Sequence, residues 1–271
     1  MTEIYSHSRL STFEKCPLKF KFQYIDKIIV IEKSVESFLG KRVHEALEWF
    51  YRQIKNTQKI PEVDELINFY SNSWEKEYDS RKIIVNNNLT EKDYFNMGLK
   101  FILNYYTKNH PFDDNTIDIE KKIAINLDEL GEYKLIGFID RLSQNKQTGN
   151  IEIHDYKTSN SLPRKGMVDD DRQLALYAIA IKNEFGQDKD ISLIWHYLAF
   201  NQKICSKRTD EQLEALKKQI LELIKKIEKT IEFHPNKSPL CNWCEYQSMC
   251  PCWQEYPSEK VLEMIKKREN Y

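Results

Sequence analysis

Apolar positions along the chain change period near residue 110. Val43, Leu47, Phe50 and Ile54 recur at i, i+4, i+7 and i+11, which predicts an amphipathic helix in "KRVHEALEWFYRQIKN" after Gly40, with His44 at the margin of the stripe. Upstream, "SRLSTFEKCPLKFKFQYI" reads as a helix capped by Ser8 and restarted at Pro17, its apolar side made by Leu10, Phe13, Phe20 and Tyr24. Residues 61 to 109 are polar with aromatic punctuation, and Pro61 and Thr90 are starts for two more helices. Together these predict a helical insert over roughly 45 to 110.

Beyond "HPFDD" the texture turns β-like. The runs "IDIEKKIAINL", "YKLIGFIDRL", "NIEIHDYKTS" and "ISLIWHYLAF" have strand composition and length. Between the last two, "DDRQLALYAIAIKNEF" is a helix apolar on nearly every side, which predicts burial against a sheet. A long helix, "DEQLEALKKQILELIKKIEKTIEF", follows; Pro235 and Pro239 then lead into a cysteine-rich stretch, and a short helix from about Ser258 closes the chain. Helices, three strands, a helix, a strand and a helix in that order make a mixed α/β core. At 271 residues this is one large domain.

Charge adds little. Lys and Arg total 41 against 42 acidic residues, so any site for a polyanion must be local. Local cations of that kind are Lys15, Lys19, Lys21, Lys41 and Arg42, which could contact phosphates. The start, "MTEIYSHSRL", lacks the apolar core of a signal peptide, and no run approaches the roughly 18 apolar residues that span a bilayer; the expectation is a cytoplasmic protein with no membrane partner. No Gly-x-x-x-x-Gly-Lys-Ser/Thr loop is present, so the sequence encodes no P-loop motor.

The chemistry concentrates in "GFIDRLSQNKQTGNIEIHDYKTS", residues 137 to 159. It reads as a hairpin turning near Gln147 and Thr148, which sets Leu142 opposite Ile153 and Asp140 opposite Asp155. By alternation Ile136, Phe138, Asp140 and Leu142 share one face of the first strand, and Ile151, Ile153, Asp155 and Lys157 one face of the second. Like charges directly opposed across strands are destabilising. A divalent cation between the two aspartates removes that conflict, and Lys157, about 7 Å along the strand from Asp155, is placed to reach a phosphate oxygen. Such a group of residues suffices for metal-assisted phosphodiester hydrolysis. A solvated sheet rim carrying a weak surface ion pair is the plainer alternative.

Six cysteines in a reducing compartment point away from disulfides. "CNWCEYQSMC" spaces Cys241, Cys244 and Cys250 as C-x2-C-x5-C, so three thiolates can converge on one centre. Cys16, in "EKCPLKF", is the natural fourth ligand; Cys252 competes, and Cys205 reads as a buried small hydrophobe. A centre joining Cys16 to Cys241 closes a loop of about 225 residues, whose closure entropy is about 5 kcal/mol. A zinc knuckle local to the C-terminal region is the alternative.

Taken in order, "SRLSTFEKCPLKFKFQYI", "GKRVHEALEWF", "GFIDR", "HDYKTS", "RQLALYAIA" and "CNWCEYQSMCP" resemble the PD-(D/E)xK nuclease superfamily. The likeness is to its RecB-like branch with an iron-sulfur staple, as in CRISPR-associated adaptation nucleases and AddB-type nucleases. The resemblance implies a restriction-endonuclease-like mixed sheet flanked by helices, in one nuclease domain over 1–271. It implies a catalytic core at 111–232, and a cysteine region at 239–253 stapled to Cys16. It makes His44 a metal ligand beside Asp140, Asp155 and the Tyr156 backbone carbonyl, with Mg²⁺ or Mn²⁺ as the ion. Lys157 becomes the catalytic lysine, with Gln173 and Tyr177 matching the branch's Gln-x-x-x-Tyr motif. The implied cluster is four-iron, four-sulfur, held by Cys16, Cys241, Cys244 and Cys250. No proline precedes Asp140, a departure from the superfamily pattern that leaves the oxygen ligands in place.

The expected activity is an exonuclease acting on single-stranded DNA ends in repair, recombination or CRISPR-type processing, alongside a helicase or similar partner. Two rivals stand: an inactive DNA-end-binding subunit on the same fold, and a structural zinc protein whose hairpin charges are incidental.

Overall fold

A computed structural model describes residues 4–31, 33–81, 83–84, 88–164 and 168–253 of the chain; the closing helix expected from about Ser258 lies outside them. Six strands make one mixed sheet: β1 (Ile4–Ser6), β4 (Asn115–Asn126), β5 (Lys134–Gln144), β6 (Ile151–Lys157), β7 (Ile191–Tyr197) and β8 (Gln202–Ser206). Two further short strands, β2 (Lys33–Ser34) and β3 (Ile83–Ile84), pair with each other in parallel. The restriction-endonuclease-like α/β architecture expected from the sequence is therefore present: parallel and antiparallel strands in one sheet, flanked by helices.

β5 organises the sheet. One edge pairs antiparallel with β4 from Asn126↔Lys134 to Asn115↔Gln144. The other edge is shared: β1 runs parallel to residues 134–136, and β6 runs antiparallel to residues 141–144. Residues 137–140 lie between these two ladders, so the sheet opens just where Asp140 stands. β6 then pairs in parallel with β7, and β7 antiparallel with β8.

Two apolar clusters cover the sheet. Helices α1 (His7–Lys15), α6 (Gln173–Phe185) and α7 (Asp210–Lys229) bury Leu10, Leu174, Leu176, Ile181 and Ile220 against Leu142, Ile153 and Trp195. Helix α6 is buried nearly all round, as its uninterrupted apolar composition predicts. Helices α3 (Val35–Thr57), α4 (Val63–Glu77) and α5 (Glu91–Asn109) form a second core around Leu47, Phe50, Tyr70 and Trp74, which meets the sheet through Ile119 and Tyr156 and takes in Leu198 just beyond β7. Most aromatic residues of the insert are thus core.

Several local expectations are corrected. The first helix is capped by Ser6, whose Oγ accepts from the Arg9 amide at 3.2 Å; α2 (Pro17–Phe20) then restarts at Pro17 as expected. Helix α3 begins at Val35 with Ser34 as its cap, so Gly40 lies inside it. A Cβ on Gly40 would come within 3.1 Å of Thr158 Oγ1, and the bare glycine lets α3 approach the end of β6. "LAF" after β7 is a 3₁₀ turn, Leu198–Phe200, that leads into β8. Cys205 on β8 is exposed, not a buried hydrophobe, because β8 is the sheet's last strand.

The pleat of β5 departs from simple alternation. Leu135 and Ile139 join the same core as Leu142, Gly137 faces the Tyr177 ring, and Phe138 is half exposed. The faces therefore switch within residues 139–142. β4 switches in the same place: Ile119 packs with the insert while Ile123 and Ile125 pack with the α6 and α7 core. Between them, Glu120 has φ of 50°, a left-handed backbone in a non-glycine residue. Local irregularities of this kind re-aim side chains within a sheet.

Candidate active site

The β5–β6 ladder has the expected register. Leu142 pairs with Ile153 and Arg141 with His154, after which the ladder stops, with Asp140 and Asp155 next in line. Asp140 Oδ2 accepts from the Tyr156 amide at 2.9 Å, a side chain filling the place of the next ladder bond. Tyr156 presents its carbonyl on the same side, 2.7 Å from His44 Nε2. His44 Nδ1 lies 3.5 Å from Asp140 Oδ2. His44 comes from α3, and the i, i+4 stripe that buries Val43 and Leu47 leaves it facing the open end of the hairpin.

Lys157 lies 2.7 Å from Asp155 Oδ2 and donates to Gln173 Oε1 at 3.0 Å, while Gln173 Nε2 donates to Asp155 Oδ1 at 3.1 Å. Gln173 opens α6, and Tyr177 one turn later sets its hydroxyl beside the Gln173 amide. Gly137 explains the fit: a Cβ there would meet the Tyr177 ring at 2.4 Å. The sequence-predicted residues His44, Asp140, Asp155, Lys157, Gln173 and Tyr177 are therefore brought into one site.

Sequence reasoning missed Glu120. Among the described residues, His44, Glu120 and Asp140 have ligand atoms all within 4.8 Å of one another. Ile119 pairs with Arg141 and Lys121 with Ile139, so Glu120 faces Asp140 across the other edge of β5. The signal was available in the second hairpin. Pairing β4 with β5 about a turn centred on Leu130, next to the left-handed Gly131, sets residue 120 against residue 140.

The electrostatics follow from three acids on adjacent strands. Burial pushes the Asp155 carboxyl up against the pull of Lys157, and Asp140 adds to the rise. Burial likewise raises Glu120 to about 7, reinforced by Asp140 and Glu48. Burial opposes charge on His44, but Asp140, Asp155 and the Tyr156 carbonyl outweigh it and raise it to about 9. Lys157, also buried, is held above the usual lysine range by Asp155.

A divalent cation fits this donor set. The carboxylates of Asp140 and Glu120 and the Tyr156 carbonyl are hard oxygen donors of the kind that hold Mg²⁺ or Mn²⁺, with the softer His44 imidazole beside them and the buried Asp155 carboxylate next in line on β6. Asp155 Oδ2 is buried with the Lys157 ammonium at 2.7 Å, and a carboxylate oxygen with one such neighbour keeps acceptor capacity for an ion.

The family model for the PD-(D/E)XK nuclease superfamily matches residues 4–251. The chain belongs to this superfamily. Solved structures similar to this PD-(D/E)XK chain include that of SSO0001, at 14% identity and a TM-score of 0.42, covering 94% of this chain and 88% of that one. Another is a protein from Eubacterium rectale assigned as an exonuclease, at 14% identity and a TM-score of 0.49, covering 96% of this chain and 93% of that one. No curated protein matches the chain significantly. No helix of the described residues is long and apolar enough to cross a membrane.

The PD-(D/E)XK chain also gathers five of its six cysteines. Cys16, Cys241, Cys244 and Cys250 line one cavity of about 190 Å³, and Cys252 lines it too. The Asn236 and Ser238 amides donate to the Cys16 and Cys241 sulfurs at 3.4 Å. Five thiols on one cavity offer the soft sulfur donors that a zinc or iron-sulfur centre takes.

Proposed function

We propose that this chain is a divalent-metal-dependent deoxyribonuclease that hydrolyses phosphodiester bonds at single-stranded DNA ends. The carrying observation is the convergence of Asp140, Asp155, His44 and the Tyr156 carbonyl at the open end of the hairpin, with Lys157 clamped beside them. Family membership supports DNA as substrate and a divalent metal as cofactor.

In this reading Asp140, Asp155, His44 and the Tyr156 carbonyl hold Mg²⁺ or Mn²⁺, with Glu120 facing the same position. Such an ion supplies Lewis acidity and lowers the pKa of water. Lys157 supplies fixed positive charge for the phosphate oxygens, and Gln173 holds its ammonium and Asp155 in one geometry. Water adds to phosphorus as one P–O ester bond breaks, and the leaving oxygen takes a proton. Cys16, Cys241, Cys244 and Cys250 hold a four-iron, four-sulfur cluster that ties the two ends of the fold together. Work on DNA ends suits repair, recombination or CRISPR-type processing, with unwinding left to a helicase partner.

The test is digestion of end-labelled single-stranded DNA with Mn²⁺ or Mg²⁺ by anaerobically purified protein, beside Asp155→Asn and an EDTA control. Cleavage that vanishes in both controls is expected. Binding without cleavage would overturn the catalytic reading and leave a DNA-end-binding module. Iron and sulfide analysis of the same sample settles the cluster: stoichiometric zinc without iron would replace it by a structural zinc site.

A further inference from the structure

Behind the aspartates, on the insert side of β5 and β6, lies a buried polar knot. Arg141 is 2% exposed and donates from Nε to the Tyr156 hydroxyl at 3.1 Å and from Nη2 to His154 Nδ1 at 3.1 Å. Its Nη1 ion-pairs with Asp114, and its guanidinium stacks 4.2 Å from the centre of the Tyr51 ring. The Tyr105 hydroxyl bridges the other two tyrosines, 2.7 Å from Tyr51 and 3.3 Å from Tyr156. A guanidinium only donates, so His154 Nδ1 accepts; it also takes a hydrogen bond from His196 Nε2 at 2.9 Å, and His154 Nε2 then donates to Ser143 at 2.9 Å.

Such a knot is a costly way to fill a core. A buried cation pays desolvation, and apolar residues of similar volume are often as stable or more so. Its members explain the choice. Tyr51 is on α3, Tyr105 on α5, Tyr156 on β6 and Arg141 on β5. Tyr156 is the residue whose amide holds Asp140 and whose carbonyl meets His44. Arg141 adjoins Asp140, and Tyr51 sits two turns along α3 from His44. Every element that brings a ligand from α3, β5 or β6 is therefore tied to the same hydrogen-bonded group.

We infer that Arg141 and the hydroxyls of Tyr156, Tyr105 and Tyr51 are positioning residues for the metal site. They set the Tyr156 backbone against His44 and Asp140 without touching substrate. The inference rests on the metal-site reading above and names what holds that site in register. Hydrogen-bond partners one step behind metal ligands commonly govern affinity by 10- to 100-fold.

The experiment is Mn²⁺ titration of the full chain, followed by electron paramagnetic resonance of free Mn²⁺, with thermal unfolding in EDTA alongside. Tyr156→Phe, Tyr105→Phe and Arg141→Lys are compared with wild type and Asp155→Asn. The expected result is a loss of Mn²⁺ affinity of about tenfold or more in Tyr156→Phe and Arg141→Lys, and less in Tyr105→Phe, in proteins that still unfold cooperatively. Mn²⁺ affinity equal to wild type in a folded Tyr156→Phe or Tyr105→Phe, whatever the change in melting temperature, would overturn the inference. Tyr105→Phe decides the matter if Arg141→Lys does not fold, because it removes one hydroxyl and no charge. The nuclease reading fails separately: a wild type that binds Mn²⁺ through Asp155 and cuts no DNA leaves the positioning result standing.

Discussion

The two metal-capable regions of this chain are built in opposite ways. Asp140, Asp155, His44 and Gln173 project from long elements with filled cores on both sides, and Asp155 itself is 4% exposed. The cysteine region between Ser238 and Trp253 has two short 3₁₀ turns, Pro239–Trp243 and Gln247–Met249, with Tyr246 as its buried apolar residue. Leu240, Trp243 and Trp253 there stay substantially exposed. A sheet holds the first region in place before any ion arrives; the second has too little apolar burial to fix its own shape. The same element, a metal, should therefore matter for chemistry in one and for folding in the other.

The sharpest way to break this contrast is Cys241→Ser. Losing a centre that joins Cys16 to Cys241 is expected to cost up to about 5 kcal/mol, the closure entropy of the long loop. Asp155→Asn is expected to melt near wild type while losing cleavage. Thermal unfolding of the two purified variants reads both. Should Cys241→Ser melt like wild type and Asp155→Asn unfold, the assignment of roles is reversed.

Within the hairpin site, the next largest effect is expected for Gln173→Ala. It removes the amide that joins Asp155 to Lys157. Loss of a positioned polar group at a phosphoryl centre typically costs on the order of 10²-fold in kcat. Helix α6 buries eight consecutive residues beyond Gln173, 174 to 181, so the fold should persist. A fall in melting temperature that accounts for the lost rate would assign Gln173 to packing instead.

Gly137→Ala probes the same clamp from behind. The added Cβ meets the Tyr177 ring at 2.4 Å, and overpacking of this kind costs about 1–3 kcal/mol. Because Tyr177 and Gln173 share a helix, the strain is expected to lower kcat as well as the melting temperature. Trimming the ring with Tyr177→Leu in the Gly137→Ala background should recover stability; failure to do so would place the cost elsewhere.

How much of this was legible depends on period and pairing. The hairpin register could be read because side chains alternate strictly near a turn at Gln147, and one turn position fixes every opposed pair up to Asp140. The same rule failed one strand away. Phe138 does not share the face of Leu142, because β4 and β5 both switch faces beside the left-handed Glu120. Alternation carries no sign of such a switch. Strand β1 has three residues and β8 five, too short for a periodic signal. Gly40 looked like a helix boundary because glycine usually marks one, whereas here it serves a close approach to Thr158. The gathering of Cys241, Cys244 and Cys250 on one cavity was readable from spacing, yet Cys252 lines it too, and spacing cannot rank it against Cys250.

The smallest expected effect tests the residue that spacing missed. Glu120 combines a half-buried carboxylate facing Asp140 with a left-handed backbone that disfavours any side chain. Glu120→Gly and Glu120→Ala remove the carboxylate equally, so both should weaken Mn²⁺ binding to the same degree. They differ in backbone alone. Glycine adopts positive φ freely, whereas alanine keeps the roughly 1–2 kcal/mol penalty of the left-handed region. Glycine's greater freedom in the unfolded chain takes back about 0.4–1 kcal/mol. Glu120→Gly should thus exceed Glu120→Ala in stability by about 1 kcal/mol or less, a difference that chemical denaturation resolves. If alanine is the more stable, residue 120 is not held left-handed in solution and the face switch lies elsewhere. If both variants bind Mn²⁺ as wild type does, the third carboxylate stands outside the metal site, and the hairpin alone supplies the acids.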